Sequence, residues 1–348
     1  GSRFGSRVLE SAFRIPPPGV LRAGAGAGAF GTSGACRCSM GAAAFCGKGN
    51  DRVIAEYFDG KVVWVTGASG GLGEALCLAV CRLARPKGLI LSARTRPELE
   101  RVRRQCLELR PEARAEVLPL DLTEVDALPS AAERALQVFG GRIDVLINNG
   151  GRGFRDAAAK TGLDVDRMMM DVNYFSGVAL TKALLPAWLQ ARHGHVVQIS
   201  SIQGFIGLPG RTAYSATKHA AIGFYDSLRA EVADSGISVT VVAPGYIETN
   251  HSQNAASGSG AHYPAGHVSK ATSPHVMAPQ ILAAVGRRRA EFIPAGVKER
   301  LAAWIRLLCP PLFFSIMRRR ARKEHRELAM GASGAAQGGA PAKASKAA

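Results

Sequence analysis

Val62-Val63-Trp64-Val65-Thr66-Gly67-Ala68-Ser69-Gly70-Gly71-Leu72-Gly73 is the stretch that decides the fold of this chain. An apolar run passes without alternation into a glycine-rich turn, and an apolar-periodic segment follows from Leu72 to about Arg85. Unbroken apolar character reads as a strand buried on both faces, and the period after it reads as a helix. A glycine turn between the two lets backbone N–H groups and a helix N-terminus approach a pyrophosphate. The GxxxGxG spacing is weak evidence alone, because ordinary turns also need glycine; its place between strand and helix gives it weight.

Outward from this stretch the pattern repeats. Leu89–Leu91, Ala115–Leu118, Ile143–Ile147, His195–Ile199 and Val239–Val242 read as further strands, separated by helical patterns at 97–109, 124–138, 165–192 and 213–234. Strands alternating with helices of this length imply βαβ units and a parallel sheet covered on both sides. The expected fold class is therefore α/β, a Rossmann-type doubly wound parallel sheet of about seven strands, in a single domain over 57–295. Residues 250–275 are poor in apolar groups and read as an active-site lid or as a segment without fixed structure.

The net charge of +17 on 348 residues lies at the two ends. Residues 1–49 hold six Lys/Arg and one acid, residues 287–348 hold fourteen and four, and the stretch between contributes only +2. A nucleic-acid binder would concentrate its charge on a folded face. With 6% aromatic residues and no finger, RNA-recognition or helix-turn-helix pattern, no nucleic-acid partner is expected. The seven cysteines show no metal-ligand spacing, so no metal site is expected and the thiols read as reduced. Residues 1–56, rich in Gly, Ala and Arg, read as a disordered or targeting segment. Organelle targeting through 1–50 and a stretch absent from the mature protein both stay open.

The second strand ends Leu91-Ser92-Ala93-Arg94. A carboxylate here would bind a ribose 2′-hydroxyl; Arg94 instead offers a fork for a 2′-phosphate, so the expected cofactor is NADP(H). Tyr214 and Lys218, one helical turn apart, share a face. Reducing a ketone needs a proton donor, and moving a Tyr pKa from near 10 to about 7 takes roughly 4 kcal/mol, about what one cation at ~4 Å supplies.

Six features in order carry a resemblance: the TGASGGLG turn, Leu120-Asp121-Leu122-Thr123, Asn148-Asn149-Gly150-Gly151, Asn173, Ser201 with Tyr214-x-x-x-Lys218, and Pro244-Gly245. On these the chain resembles the short-chain dehydrogenase/reductase superfamily over about 57–295. The resemblance implies Tyr214 as acid/base, Ser201 as hydrogen-bond partner of the substrate oxygen, Lys218 holding the nicotinamide ribose, and Asn173 at a helix kink completing a water-linked relay. It also implies a cofactor site built from Gly67, Ser69, Gly71, Leu72, Gly73, Arg94, Asp121, Asn148, Gly150, Tyr214, Lys218, Pro244, Gly245, Ile247 and Thr249. Two departures stand out: Gly70 replaces a basic residue frequent in NADPH-preferring members, and Asn-Asn-Gly-Gly replaces the usual Asn-Asn-Ala-Gly.

Segments such as VNYFSGVALTKALLP, ISSIQGFIGLPGRTAYSATKHA and LFFSIMRRRARKEHR are similar to the dehydrogenase/reductase member 7B branch, related to 11β-hydroxysteroid dehydrogenases. That similarity implies membrane association at the endoplasmic reticulum or peroxisome. The apolar stretch Leu301–Met317, broken by Arg306 and Pro310-Pro311 and followed by an Arg-rich run, suits a helix pair on an anionic membrane surface or a hydrophobic lid. Residues 296–327 are thus expected as an amphipathic basic extension and 328–348 as a disordered tail. The expected activity is NADPH-dependent reduction of a carbonyl, or oxidation of an alcohol, on a lipophilic substrate: a lipid ketone, retinoid, steroid or acyl/alkyl-dihydroxyacetone phosphate. The alternative is a catalytically silent NADP(H)-binding scaffold at a membrane. Relatives of this kind are commonly homodimers or homotetramers.

Overall fold

A computed structural model of the chain describes residues 48–249, 254–263 and 271–337. The stretch 1–47, most of the expected targeting segment, and parts of the 250–275 loop lie outside the described residues.

β1 (Val62–Thr66) pairs in parallel with β2 (Gly88–Ser92) on one side and β4 (Val145–Asn148) on the other. β3 (Ala115–Val117) lies beyond β2, and β5 (Gly194–Ile199), β6 (Ile237–Val242) and β7 (Glu291–Phe292) lie beyond β4. The sheet is all-parallel with order β3-β2-β1-β4-β5-β6-β7, the doubly wound architecture expected. Alternate residues of each strand feed two cores, which is why the strands are apolar throughout. Val63, Val65, Leu89 and Leu91 pack against α2 (Gly71–Leu83), α3 (Arg96–Leu109) and α8 (Pro274–Gly286). Trp64, Ile90 and Leu146 pack against α4 (Leu128–Val138), α6 (Ser176–Ala191) and α7 (Thr212–Glu231).

Three elements depart from the sequence reading, and the expected C-terminal helix pair runs longer than read. α1 (Lys48–Phe58) falls inside the stretch expected to be unstructured; Ile54 and Phe58, one turn apart, are fully buried in the core with α2 and α8. A short helix with only two core anchors is invisible beside a Gly/Ala-rich leader. The helix expected over 165–192 is α5 (Leu163–Met170), a π turn at Asp171–Phe175, and α6. β7 has two residues, too few for a period to register. The C-terminal extension forms α9 (Val297–Leu308) and α10 (Pro310–Gln337), with the two prolines starting the second helix. α10 continues past residue 328 because its Ala-rich end favours helix. Among the described residues no helix is long and apolar enough to cross a membrane.

Candidate active site

The sheet order reverses between β1 and β4, and the crevice outside their carboxyl ends is where ligands bind in such folds. The turn after β1 is shaped for close approach. Gly67 and Gly71 take positive φ of 65° and 57°. A Cβ on Gly73 would sit 2.1 Å from the Gly67 carbonyl oxygen, so α2 reaches the turn only with hydrogen there. No side chain caps the start of α2, which leaves the N–H groups of Gly71, Leu72 and Gly73 for an anion. Arg101 on α3 clamps the turn from behind, donating to both carboxylate oxygens of Glu74 (2.7 and 2.9 Å) and to Ser69 O at 3.2 Å. No local signal marks these contacts in the sequence, because Glu74 and Ser69 lie 27 and 32 residues away from Arg101.

Asn149, quoted in the motif but given no role there, donates to Thr66 O (3.0 Å), while Thr66 Oγ1 accepts from the N–H groups of Asn149 and Gly150 (3.1 and 3.0 Å). These bonds lock the carboxyl ends of β1 and β4 together. Asn148 Nδ2 lies 3.1–3.2 Å from Gly177 O, Thr181 Oγ1 and Tyr225 OH, tying β4 to α6 and α7. At Gly150 a Cβ would meet Leu122 Cδ1 at 2.3 Å; Leu122 fills the place of the methyl missing from this motif, so the departure leaves no void. Asp121 Oδ1 accepts from the Thr123 N–H and hydroxyl at 2.9 and 2.8 Å. Arg94 is exposed just past the end of β2, and the Arg152 guanidinium is held below its usual pKa by burial and by the charge of Arg94. Pro244 O accepts from Ile202 N at 3.0 Å, Gly245 N donates to Pro294 O at 3.2 Å, and Ile247 bridges to Thr272. Thr249 reaches back over the turn, its Cγ2 3.0 Å from where a Gly71 Cβ would stand.

Ser201, Tyr214 and Lys218 converge beyond β5. Ser201 caps a short turn (Ile202–Gly204), its Oγ accepting from Gln203 N at 3.1 Å, and it hydrogen-bonds the Tyr214 phenol. Tyr214 and Lys218 are both buried on α7, with Lys218 Nζ 5.5 Å from the Tyr214 ring centre and donating to Ile199 O at 3.1 Å. Burial lowers the Lys218 pKa to about 8. Burial pushes the Tyr214 phenol up, against the downward pull of the Ser201 bond and the Arg211 charge. Arg211, three residues ahead of Tyr214, carries a charge that favours the phenolate, and Tyr246 works against it. Asn173, 3% exposed in the π turn, accepts from Arg152 N at 2.8 Å and donates to Arg152 O and Thr217 Oγ1 at 3.0 and 3.2 Å.

A cavity of about 270 Å³ opens from Ser201 and Gln203, walled by Ile206 and Leu208 and closed by Lys298, Glu299 and Ala302 of α9 and by Met317 and Arg320 of α10. The two C-terminal helices are therefore two-faced. Phe313, 2% exposed, packs with Ile202, Ile206 and Leu208, while Leu301, Trp304, Leu307, Leu308, Leu312 and Phe314 point outward. Residues 254–263 approach from the other side, where Ala256 pairs with Phe154 and packs in one cluster with Tyr214.

The family described as short chain dehydrogenase matches residues 61–259. The chain belongs to the short-chain dehydrogenase/reductase family. It is thereby an oxidoreductase by family. It is 45% identical to a dehydrogenase/reductase SDR family protein 7-like of Anopheles gambiae, over 77% of this chain and 86% of the relative. Identity to the dehydrogenase/reductase SDR family member 7B of Xenopus laevis is also 45%, over 77% and 84%. Among solved structures, a short-chain dehydrogenase from Streptomyces avermitilis matches with a TM-score of 0.61 at 29% identity, over 76% of this chain and 98% of that one. A short-chain dehydrogenase from Sphingobium yanoikuyae in complex with NADPH matches with 0.60 at 25%, over 71% and 92%.

Proposed function

We propose that the chain uses NADP(H) to reduce a carbonyl, or oxidise the corresponding alcohol, on a lipophilic substrate. The observation that carries this reading is the convergence of Ser201, Tyr214 and Lys218 beside a cavity walled by apolar residues and by α9–α10.

The residues present fit the cofactor. The uncapped start of α2 and its close-packed glycines form an anion cradle, and the end of β2 presents Arg94 where an NAD enzyme would place a carboxylate. Gly67, Gly71, Leu72 and Gly73 would hold the pyrophosphate, and Arg94 with Ser69 the 2′-phosphate. Asp121 would meet the adenine, Asn148 and Gly150 border the nicotinamide side, Lys218 hold its ribose, and Pro244, Gly245, Ile247 and Thr249 its carboxamide. The NADPH complex of the Sphingobium relative supports this choice. When bound, NADPH supplies the hydride. The chain's own groups supply the rest. Ser201 Oγ positions the substrate oxygen, and Tyr214 gives its phenolic proton to that oxygen as charge develops on it. Arg211 and Lys218 stabilise the resulting phenolate. Asn173 spends its side chain on Arg152 and Thr217, so any relay through it uses its main chain.

The lipophilic substrate class and a membrane surface belong together in this reading. The outward apolar side chains of α9 and α10 lie next to exposed Arg318, Arg319 and Arg322, the pairing an anionic bilayer surface favours. Substrate would then enter between lipid and cavity, at the membrane of an organelle. Exposed Phe175 and Leu189 on the α6 side suit self-association as a homodimer or homotetramer.

The test follows NADPH and NADH oxidation by the full chain against lipid ketones, retinal, steroids and acyl-dihydroxyacetone phosphate, with Tyr214→Phe as control. NADPH-selective turnover that vanishes in the variant is expected. Tight NADPH binding with no turnover of any carbonyl would refute the enzymatic reading. For the surface, wild type should cosediment with anionic vesicles and Trp304→Ser/Leu308→Ser should not; equal cosedimentation of both would refute the membrane contact.

A further inference from the structure

Gln198 stands one residue before the end of β5, 3% exposed, and none of the roles above absorbs it. In the register of the sheet it pairs with Asn148 of β4. Gly177 of α6 lies against both: a Cβ there would come 2.9 Å from Gln198 Oε1 and 3.4 Å from Asn148 Nδ2. Gln198 Nε2 donates to the Ile199 carbonyl oxygen at 3.3 Å, and the same oxygen accepts from Lys218 Nζ at 3.1 Å. Turned the other way, the amide would set Oε1 against that carbonyl, so its donor end faces the acceptor of Lys218. The other end has no partner. Among the described residues, Gln198 Oε1 and Asn148 Oδ1 are both buried without a donor. A buried acceptor left in this state is costly, and an apolar side chain in its place would carry no such cost. An amide kept against a local rule points to a use for its bonded half.

We propose that Gln198 is a positioning residue for Lys218, sharing the Ile199 carbonyl with it so that the ammonium is held there loosely. A second donor on one oxygen weakens its hold on the first. When Lys218 turns away, Gln198 keeps the buried carbonyl satisfied. The sharing therefore eases both the release of the Lys218 proton and its turn toward the crevice. This rests on the carbonyl-reducing reading, in which the Lys218 cation supports the Tyr214 phenolate, and adds what sets the strength of that support. Tyr214 is the titratable group facing Lys218, on the same helix, and Arg211 and Tyr246 act on that phenol. Burial alone lowers Lys218 to about 8, with no contribution from a charge on β4, β5 or the π turn.

The test titrates the Lys218 side chain by NMR in the full chain, isotope-labelled at lysine Cε and free of cofactor, with the signal assigned by its loss in Lys218→Met. Gln198→Met removes the donor, and Gln198→Asn draws the amide back from the Ile199 carbonyl. In both, the ammonium gains that carbonyl for itself. The midpoint should rise by about half a pH unit, the roughly threefold change in proton affinity that one weak neutral hydrogen bond supports. Thr181→Val breaks the neighbouring contacts to Asn148 and Tyr225 and leaves Ile199 untouched. It should lower the melting temperature and leave the midpoint where it is. In the NADP⁺-dependent oxidation of an alcohol, the fall in rate at high pH, where the cation is lost, should move upward with the midpoint. An unmoved midpoint in the Gln198 variants, or an equal rise in Thr181→Val, overturns the role of Gln198. A midpoint that moves while no alcohol or carbonyl turns over would instead keep the Gln198 contact and refute the redox reading.

Discussion

His195 opens β5 at the end of the sheet opposite the active site and is 1% exposed. Thr240 Oγ1 donates to Arg289 O, so toward His195 it acts as acceptor of the Nε2–H at 2.9 Å. Nδ1 is then the acceptor for the Tyr57 hydroxyl at 2.6 Å. The ring is thereby held neutral, and burial, with the charges of Arg288, Lys61 and His193, lowers its pKa to about 3. The folded value lies below the unfolded value of about 6.5, so the stabilisation is fully present above pH 6.5 and is lost as pH falls toward 3. Each pH unit inside that window costs about 1.4 kcal/mol, which makes the loss between pH 7 and pH 5 about 2 kcal/mol. Urea denaturation of wild type and His195→Gln at the two pH values isolates this group from the carboxylates. The wild type should lose about 2 kcal/mol more than the variant over that interval. Identical losses in both proteins would refute the neutral, buried state of the ring and with it the network that pins α1 to the sheet.

Three further outcomes are expected. Gly73→Ala brings a methyl against the Gly67 carbonyl and should displace the phosphate turn, weakening NADPH binding about tenfold or more in a fluorescence titration. Arg94→Ala should cut the preference for NADPH over NADH in kcat/KM at least tenfold, with NADH turnover little changed. Arg211→Met removes a charge that pulls the Tyr214 phenol down, so the phenol pKa rises. Alcohol oxidation, which needs the phenolate, should then shift its rising limb to higher pH by about one unit, and ketone reduction should persist correspondingly further into alkali.

How much of this was legible can be seen residue by residue. Strand, glycine turn and helix around Gly67–Gly73 are a local pattern, since burial on both sheet faces and close phosphate approach each demand particular residue types at adjacent positions. Tyr214 and Lys218 were legible for the same reason, as helical spacing alone puts them on one face. Arg101 and Arg211 were not singled out, and Asn149 was quoted only as part of a motif. Their meaning lies in partners that the chain brings together from elsewhere, such as Ser69 for Arg101.

The C-terminal extension divides the two kinds of information most clearly. Its apolar and basic composition, and the prolines that break it, are local properties and foretold a helix pair. Which face of that pair turns inward is a matter of shape, since Phe313 and Phe314 are chemically identical neighbours. One is buried against Ile206 and Leu208 and the other is exposed, because only the folded domain offers an apolar hollow on one side. The sequence by itself determined the layered sheet and the reacting groups, through periodicity and spacing. The substrate cavity and its outer wall were decided by tertiary packing, because residues 201–208 meet helices that begin only at residue 297.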